Sequence, residues 1–425
     1  MTPALNPLVL SLKESATLAI NLKALRLRKK GKKVYHFGFG QSPFPVPDNI
    51  QDALRKNADK KDYLPTQGLP ELCEAVSVFY RDEFCYNFSS DNVCVGPGSK
   101  ELIFQLIYLM EGPLLVPAPS WVSYGPQAAL RGKEIVPIMT KRENGYRLQI
   151  DELDRVAHKL GQKQKLLIIN NPNNPTGCLY TKDELEELAK LCRAYQIIVI
   201  SDEIYAMIEF TNKPHSSLAH YYPEGTIVTG GLSKSFAAGG YRLGVMLLPR
   251  ELKIILNALK SVISETFSSV SAPIQYAALE AYGNFELVRP FIEKTCEIYQ
   301  FTSEYMHDRF IKAGLNCPKA DGSFYLFPDF ENYRENIRKK GILTGINICN
   351  YLLEHFNIAA LPGSDFYMPA TNLGARFASV DFDGQKVLNS WTNRKDMDEE
   401  KTKSLFPYLV EGCDSLEHFT KTLCV

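Results

Sequence analysis

The sequence predicts an α/β protein: a large domain with a mostly parallel sheet flanked by helices, followed by a smaller α+β domain. Three observations carry that prediction. Short β-branched apolar runs alternate with longer helical patterns between about residues 70 and 250, as in an open sheet with helices on both faces. The texture changes after about residue 285, where long helical stretches flank a short extended segment. The length of 425 residues suits two or three domains at roughly 100–200 residues each.

A basic helix is expected over Lys23–Lys33, followed by an extended run Val34–Phe39, and its charges read as a solvated face. Glu71–Phe84 has apolar residues at helical spacing, and Val93–Val95 then reads as a strand. Ser99–Met110 is helical, with Ser99 or a neighbour as cap. Leu114–Val116, Glu134–Ile138, Lys165–Asn170 and Ile197–Ser201 read as strands. Thr181–Tyr195 is amphipathic, with Thr181 as N-cap and Glu184 three residues on, the pattern of a capping box. Asn284–Ala313 and Gly345–Phe356 are helical, and Gly322–Asp329 between them reads as hairpin-like.

Composition narrows the function. Lys plus Arg equals Asp plus Glu at 48 each, which argues against nucleic-acid binding led by phosphate contacts and against an anionic-membrane protein. No apolar run approaches the ~20 residues needed to span a bilayer. The first residues, Met1 to Pro7, carry no basic segment ahead of an apolar stretch, unlike a signal peptide. Ten cysteines are scattered singly, as expected for reduced thiols in the cytoplasm. No histidine spacing suggests a metal; His215 and His220 read as loop residues near a proline.

In an open α/β sheet, ligands gather beyond the carboxyl ends of the strands. Four segments follow strand ends there: Gly96–Ser99, Asn170–Gly177, Asp202–Tyr205 and Gly230–Gly244. The last, Gly230-Gly-Leu-Ser-Lys234-Ser-Phe-Ala-Ala-Gly-Gly-Tyr-Arg242-Leu-Gly244, is the most informative. A lysine among small residues, partly desolvated, has its pKa lowered and can act as an amine nucleophile. An arginine eight positions on can clamp a phosphate with its fork of donors.

From Gly231 through Gly244 this stretch resembles the lysine signature of the class I/II pyridoxal-phosphate aminotransferases of fold type I, aspartate-aminotransferase-like. The resemblance extends along nearly the whole chain. Leu12–Ile20 is similar to the family's amino-terminal arm, and Asp62-Tyr63-Leu-Pro-Thr-Gln-Gly68 to its tyrosine–glycine helix entry. Asn171-Pro-Asn-Asn174-Pro-Thr-Gly177 resembles its asparagine loop, and Ser201-Asp202-Glu-Ile-Tyr205 its aspartate strand end. Gly322-Ser-Phe-Tyr325 and Ala375-Arg376-Phe-Ala-Ser379 resemble two motifs of the small domain.

The resemblance implies a pyridoxal 5'-phosphate enzyme moving an amino group from an L-amino acid to a 2-oxo acid. Lys234 supplies the amine that forms the imine and shuttles the substrate proton. Asp202 keeps the ring nitrogen protonated, and Tyr205 and Asn174 hydrogen-bond the phenolic oxygen. Trp121 stacks on the ring. The phosphate is taken by backbone amides of Ser99 and Lys100, by Ser233 and Arg242, and by Tyr63 of the partner subunit, which implies a homodimer with shared sites. Lys100 departs from the neutral residue many relatives carry.

Arg376 is the implied clamp for the α-carboxylate, with Gly40 and Asn174 beside the substrate. The residues after Gly40, Gln41-Ser42-Pro43-Phe44, depart from the family pattern, and no second arginine stands out for a distal carboxylate. The implied division is residues 1–46 as arm and part of the small domain, 47–285 as cofactor domain and 286–425 as small domain. The rival readings are a lyase or decarboxylase on the same scaffold, a non-catalytic protein of this fold, and a nucleotide-binding α/β protein.

Overall fold

The computed structural model describes residues 4–10, 12, 16–211 and 213–423. Residues 13–15 of the amino-terminal arm motif lie outside the described residues.

Among the described residues there are twelve strands: β1 (Tyr35–His36), β2 (Val93–Gly96), β3 (Leu114–Ala118), β4 (Ile135–Met139), β5 (Leu166–Asn170), β6 (Ile198–Asp202), β7 (Thr226–Gly231), β8 (Gly244–Leu247), β9 (Tyr325–Leu326), β10 (Ile358–Ala359), β11 (Leu361–Pro362) and β12 (Ala375–Ala378). Strands β2 to β8 form one seven-stranded sheet in the order β2-β8-β7-β6-β5-β3-β4. All neighbours run parallel except β8, which is antiparallel to both β2 and β7.

The two-residue side-chain period divides each strand between two cores. Leu166 and Ile168 of β5 pack with helices Ser99–Leu109, Tyr124–Arg131 and Lys253–Ser264, whereas Leu167 and Ile169 pack under Ile150–Leu160 and Lys182–Ala194. Each such side chain, wholly buried, stabilises by about 1.5–3 kcal/mol relative to exposure. The strands behind the site are therefore its rigid base. Pro137 lies in β4, the half-exposed edge strand, where its missing N–H costs no ladder bond to a further neighbour.

Helix Lys182–Ala194 starts as expected: Thr181 and Glu184 form both bonds of the capping box. Helix Ser99–Leu109 starts differently, with Gly98 as N-cap and no side chain on its first N–H groups. The basic helix begins earlier than expected, at Ala16, and ends at Lys29 because Gly31 turns the chain at φ +76°. Of Val34–Phe39 only Tyr35–His36 is strand, and it pairs in parallel with β10.

The hairpin expected within Gly322–Asp329 is not formed. Tyr325 and Leu326 pair instead with Ala378 and Phe377 of β12, some fifty residues on in the chain, in a three-stranded sheet ordered β11-β12-β9. A turn-rich sequence signals a reversal but not the partner, which here is non-local. The loop before β9 is strapped to the large sheet's loops. Asp321 and Gly322 both donate N–H to Gly177 O at 2.9 Å, Ser323 N donates to Ile208 O at 2.7 Å, and Phe210 N donates to Asp321 O at 2.8 Å. No helix among the described residues is long and apolar enough to cross a membrane.

Directly after β6 lies a buried charge cluster that the sequence did not signal. Glu203 accepts hydrogen bonds from Tyr86 and Ser201, each at 2.6 Å, and from Ser217. His215, expected on a loop, is buried with Nε2 3.3 Å from Glu203 Oε2, an ion-pair contact without hydrogen-bond alignment, and Nδ1 bonded to Glu209. His220 lies in the short helix Leu218–Tyr221. Burial opposes the His215 charge, but the two carboxylates outweigh it and raise its pKa to about 10. Burial likewise opposes the Glu203 charge, and His215 with the hydroxyls brings that carboxyl below its ordinary value.

Removing one member of a buried ionic cluster leaves the others uncompensated. His215→Leu should lower the unfolding free energy by about 3–5 kcal/mol near pH 6, read from urea melts. The imidazolium's folded value of about 10 exceeds its ordinary 6.5, so its contribution is complete below pH 6.5 and is lost as pH rises through 10. The gap between wild type and variant should therefore narrow steadily over that window. A constant gap would contradict a charged His215.

Candidate active site

The parallel register sets Asn170, Asp202 and Thr229 side by side at the carboxyl ends of β5, β6 and β7. Beyond them lies a cavity of about 390 Å³. Every site residue predicted from the sequence lines it except Tyr63: Gly40, Ser99, Lys100, Trp121, Asn174, Asp202, Tyr205, Ser233, Lys234, Arg242 and Arg376. Tyr63 is 93% exposed on the outside of the chain.

Asp202 ends β6 with its side chain buried. Tyr124 donates its hydroxyl to Oδ2 at 2.6 Å, while Oδ1 is buried without a hydrogen-bond partner. Burial raises the carboxyl pKa to about 6 against the partial relief given by Tyr124 and the Ile204 N–H. An acceptor left unpaired in a buried site costs about 1–3 kcal/mol, and more when charged. A cationic or N–H donor placed at Oδ1 would remove that cost.

Lys234 follows β7 by three residues and is held by one bond, Nζ to Gly40 O at 2.9 Å. Its ammonium lies 5.5 Å from the ring centroids of both Tyr205 and Phe324. Burial lowers its pKa, and the charges of Arg376 and Arg242 act in the same direction. A lowered pKa is the direction that favours the neutral, nucleophilic form of an amine.

Arg376, on β12, is 1% exposed. Nη2 donates to Gly38 O at 2.7 Å and Nη1 to Asn174 Oδ1 at 3.1 Å, while Nε is buried without a partner. The asparagine's oxygen is thus occupied, which leaves its amide N–H groups as donors. Asn174 is fixed in turn by its backbone N–H, which donates to Asn170 Oδ1 at 2.6 Å. Tyr205 Oη lies 3.1 Å from Tyr325 Oη.

The other end of the cavity is cationic. Gly96 pairs with Gly244, so the start of helix Ser99–Leu109 meets the Arg242 turn. Arg242 is pinned by Nη1 to Gly239 O at 2.8 Å and Nη2 to Pro97 O at 3.3 Å. Gly98 has φ +92°, and a Cβ there would come within 2.3 Å of Arg242 Nη2, so glycine is needed both for the turn and for this approach. The uncapped N–H groups, the helix dipole and Arg242 together could hold an anion. Lys100 is the adjoining cation, its ammonium 5.3 Å over the Trp121 ring. Burial, then the charges of Arg242 and Lys234, lower its pKa.

Sequence reasoning missed two residues of the site. Tyr124, which orients Asp202, stands three positions after Trp121, and nothing local distinguishes it from a core tyrosine. Tyr325 lines the cavity. The Gly-Ser-Phe-Tyr motif pointed to its segment without giving it a role.

Comparison with known proteins agrees with this geometry. Residues 32–378 match the sequence profile of the family described as aminotransferase class I and II. A probable aspartate/prephenate aminotransferase of Aquifex aeolicus is 32% identical over 367 residues, covering 84% of this chain and 90% of its own. An aspartate aminotransferase of Geobacillus stearothermophilus is 32% identical, covering 88% and 96% respectively. The structure of aspartate aminotransferase from Thermus thermophilus with maleate superposes with a TM-score of 0.84 at 28% identity, covering 98% of this chain and all of that one. The profile match spans most of the chain, and the fold and cavity agree with it: this protein belongs to the class I and II aminotransferases.

Proposed function

We propose that the cavity holds pyridoxal 5'-phosphate covalently on Lys234 and moves the amino group of an L-amino acid to a 2-oxo acid. The observation that carries this reading is one cavity lined by a buried amine of lowered pKa and a buried carboxylate whose Oδ1 lacks a partner. The residues fit that cofactor at each of its polar groups. Asp202 Oδ1 suits a protonated ring nitrogen, and the anion site at Ser99, Lys100, Ser233 and Arg242 suits a phosphate. Tyr205 and the Asn174 amide supply donors for the phenolic oxygen, and Trp121 supplies a ring face.

Bound there, the cofactor supplies an electron sink for the bond broken at the substrate Cα and carries the amino group between substrates. This chain supplies the rest. Arg376 receives the α-carboxylate, its buried Nε and a fork of donors giving a paired grip. Lys234 Nζ, once free, takes the proton from Cα, a role suited to an amine of lowered pKa. Asp202 stays ionised when a cation occupies its open side, since an opposite charge within contact offsets the desolvation that raises its pKa.

Relatives named for aspartate suggest an acidic substrate. The only arginines lining the cavity, among the described residues, are Arg242 and Arg376. The Lys100 ammonium, which lies over the Trp121 ring at the cavity, is the cation assigned to a distal carboxylate, as distinct from the residue's backbone N–H at the phosphate. A homodimer belongs to the same reading: Tyr63, 93% exposed, is free to reach the phosphate of a neighbouring subunit. The division at residues 46 and 285 is supported by the separate sheets, and a cytoplasmic location by the nine described cysteines, all unpaired.

Borohydride reduction of the loaded protein, followed by peptide mass analysis, should place the pyridoxyl label on Lys234, and Lys234→Ala should carry none. A label on another lysine would overturn the assignment. A panel of amino acids then tests the substrate half. Arg376→Lys keeps a charge but loses the planar fork, so kcat/KM for every amino acid should fall roughly a hundredfold, about 3 kcal/mol, while amines lacking the carboxylate are far less affected. Lys100→Met should weaken aspartate selectively over alanine. Equal losses for amines and amino acids, or for aspartate and alanine, would contradict the respective roles.

A further inference from the structure

Tyr325 is 2% exposed, lines the cavity, and touches Tyr205, Gly40 and Arg376. Its hydroxyl lies 3.1 Å from Tyr205 Oη and 3.4 Å from Gly40 O, the carbonyl that also accepts from Lys234 at 2.9 Å. Its ring lies under the Arg376 guanidinium, 4.5 Å from Cζ to centroid, and meets the Tyr205 ring edge-on at 5.7 Å. A Cβ at Gly40 would fall 1.9 Å from Tyr325 Oη, so the chain at residue 40 is glycine where the phenol presses against it.

The position is held from both sides. The preceding loop is strapped to Gly177 of the asparagine loop and to Ile208 beyond Tyr205, and β9 pairs with β12, which carries Arg376. Ser323 in that loop adopts φ +58°, an unfavourable conformation for a residue with a side chain, and its N–H is tied to Ile208 O. Backbone held in such a conformation is sustained by its surroundings.

We propose that Tyr325 is a positioning residue with two separable actions: its hydroxyl donates across the shorter of its two contacts, to Tyr205 Oη at 3.1 Å in preference to Gly40 O at 3.4 Å, and strengthens that phenol as a donor, and its ring carries the Arg376 guanidinium. The proposal rests on the cofactor and substrate roles assigned above to Tyr205 and Arg376. A hydroxyl that accepts one hydrogen bond donates a stronger one, because the bonds polarise each other. A guanidinium over a desolvated aromatic face is attracted by the ring quadrupole and loses freedom to tilt.

Two variants of the cofactor-loaded enzyme separate the actions. Tyr325→Phe keeps the ring and removes the hydroxyl. The pH at which the bound cofactor's visible absorbance titrates should rise by about half a unit to one unit, with KM for amino acids changed less than about twofold. Tyr325→Leu removes both. It should show the same absorbance shift and, in addition, a fall in kcat/KM for amino acids of about tenfold relative to Tyr325→Phe. Amines without a carboxylate should not show that second loss.

An unshifted titration in Tyr325→Phe would overturn the hydroxyl's role, and equal kcat/KM in the two variants would overturn the ring's. Should Tyr325→Leu fail to fold, Tyr325→Trp, which keeps an aromatic face, should retain the amino-acid preference over amines, and its loss would overturn the ring's role. These failures are distinct from failure of the underlying reading, which would appear in wild type as absence of the pyridoxyl label from Lys234.

Discussion

The site is organised around a carboxylate that the fold buries and leaves half satisfied. Asp202 ends a strand flanked by parallel neighbours on both sides, so its backbone has no freedom to withdraw. Tyr124 satisfies one oxygen, and the other faces the cost of burial without a partner. That cost appears directly as a carboxyl pKa pushed up to about 6. A ligand bearing a positive N–H can recover the lost interaction, so folding energy stored at this position is returned on binding. Just behind it His215 bridges Glu203 and Glu209, which lie on either side of Tyr205 in the chain.

The remaining groups around the cavity are divided between its two ends. Positive potential is concentrated at the opposite end, where Arg242, Lys100 and an uncapped helix start meet. Lys234 and Arg376 are both buried, and burial is the main cause that lowers the pKa of each. An arginine with so high an ordinary pKa stays charged and serves to bind an anion. Desolvation thus acts in the same direction on two side chains whose intrinsic basicities differ.

Much of the site is legible in the sequence. Lys234, Arg242, Asp202 and Asn174 sit in short segments after strands, where strand position alone points them toward the crevice, and their residue types match the chemistry. The helix over Lys182–Ala194 is legible because its start is set by local bonds between Thr181 and Glu184. The partner of β9 is not, because pairing with β12 is a choice among distant segments. Tyr124 and His215 are hidden for the same reason: each acts through contacts made across the fold, with Asp202 in one case and with Glu203 and Glu209 in the other. Lys100 reads in the sequence as a departure from the family pattern, and its place over the Trp121 ring is a contact across the fold that the sequence does not show.

The most direct test of the central claim is nitrogen-15 NMR of the enzyme loaded with pyridoxal phosphate labelled at the ring nitrogen. Paired with the open oxygen of Asp202, that nitrogen should carry its proton at pH 8, well above the value for a free pyridine, and should lose it in Asp202→Ala at the same pH. A neutral, unprotonated nitrogen in the wild-type enzyme at pH 8 would contradict the account, whatever the turnover of the protein.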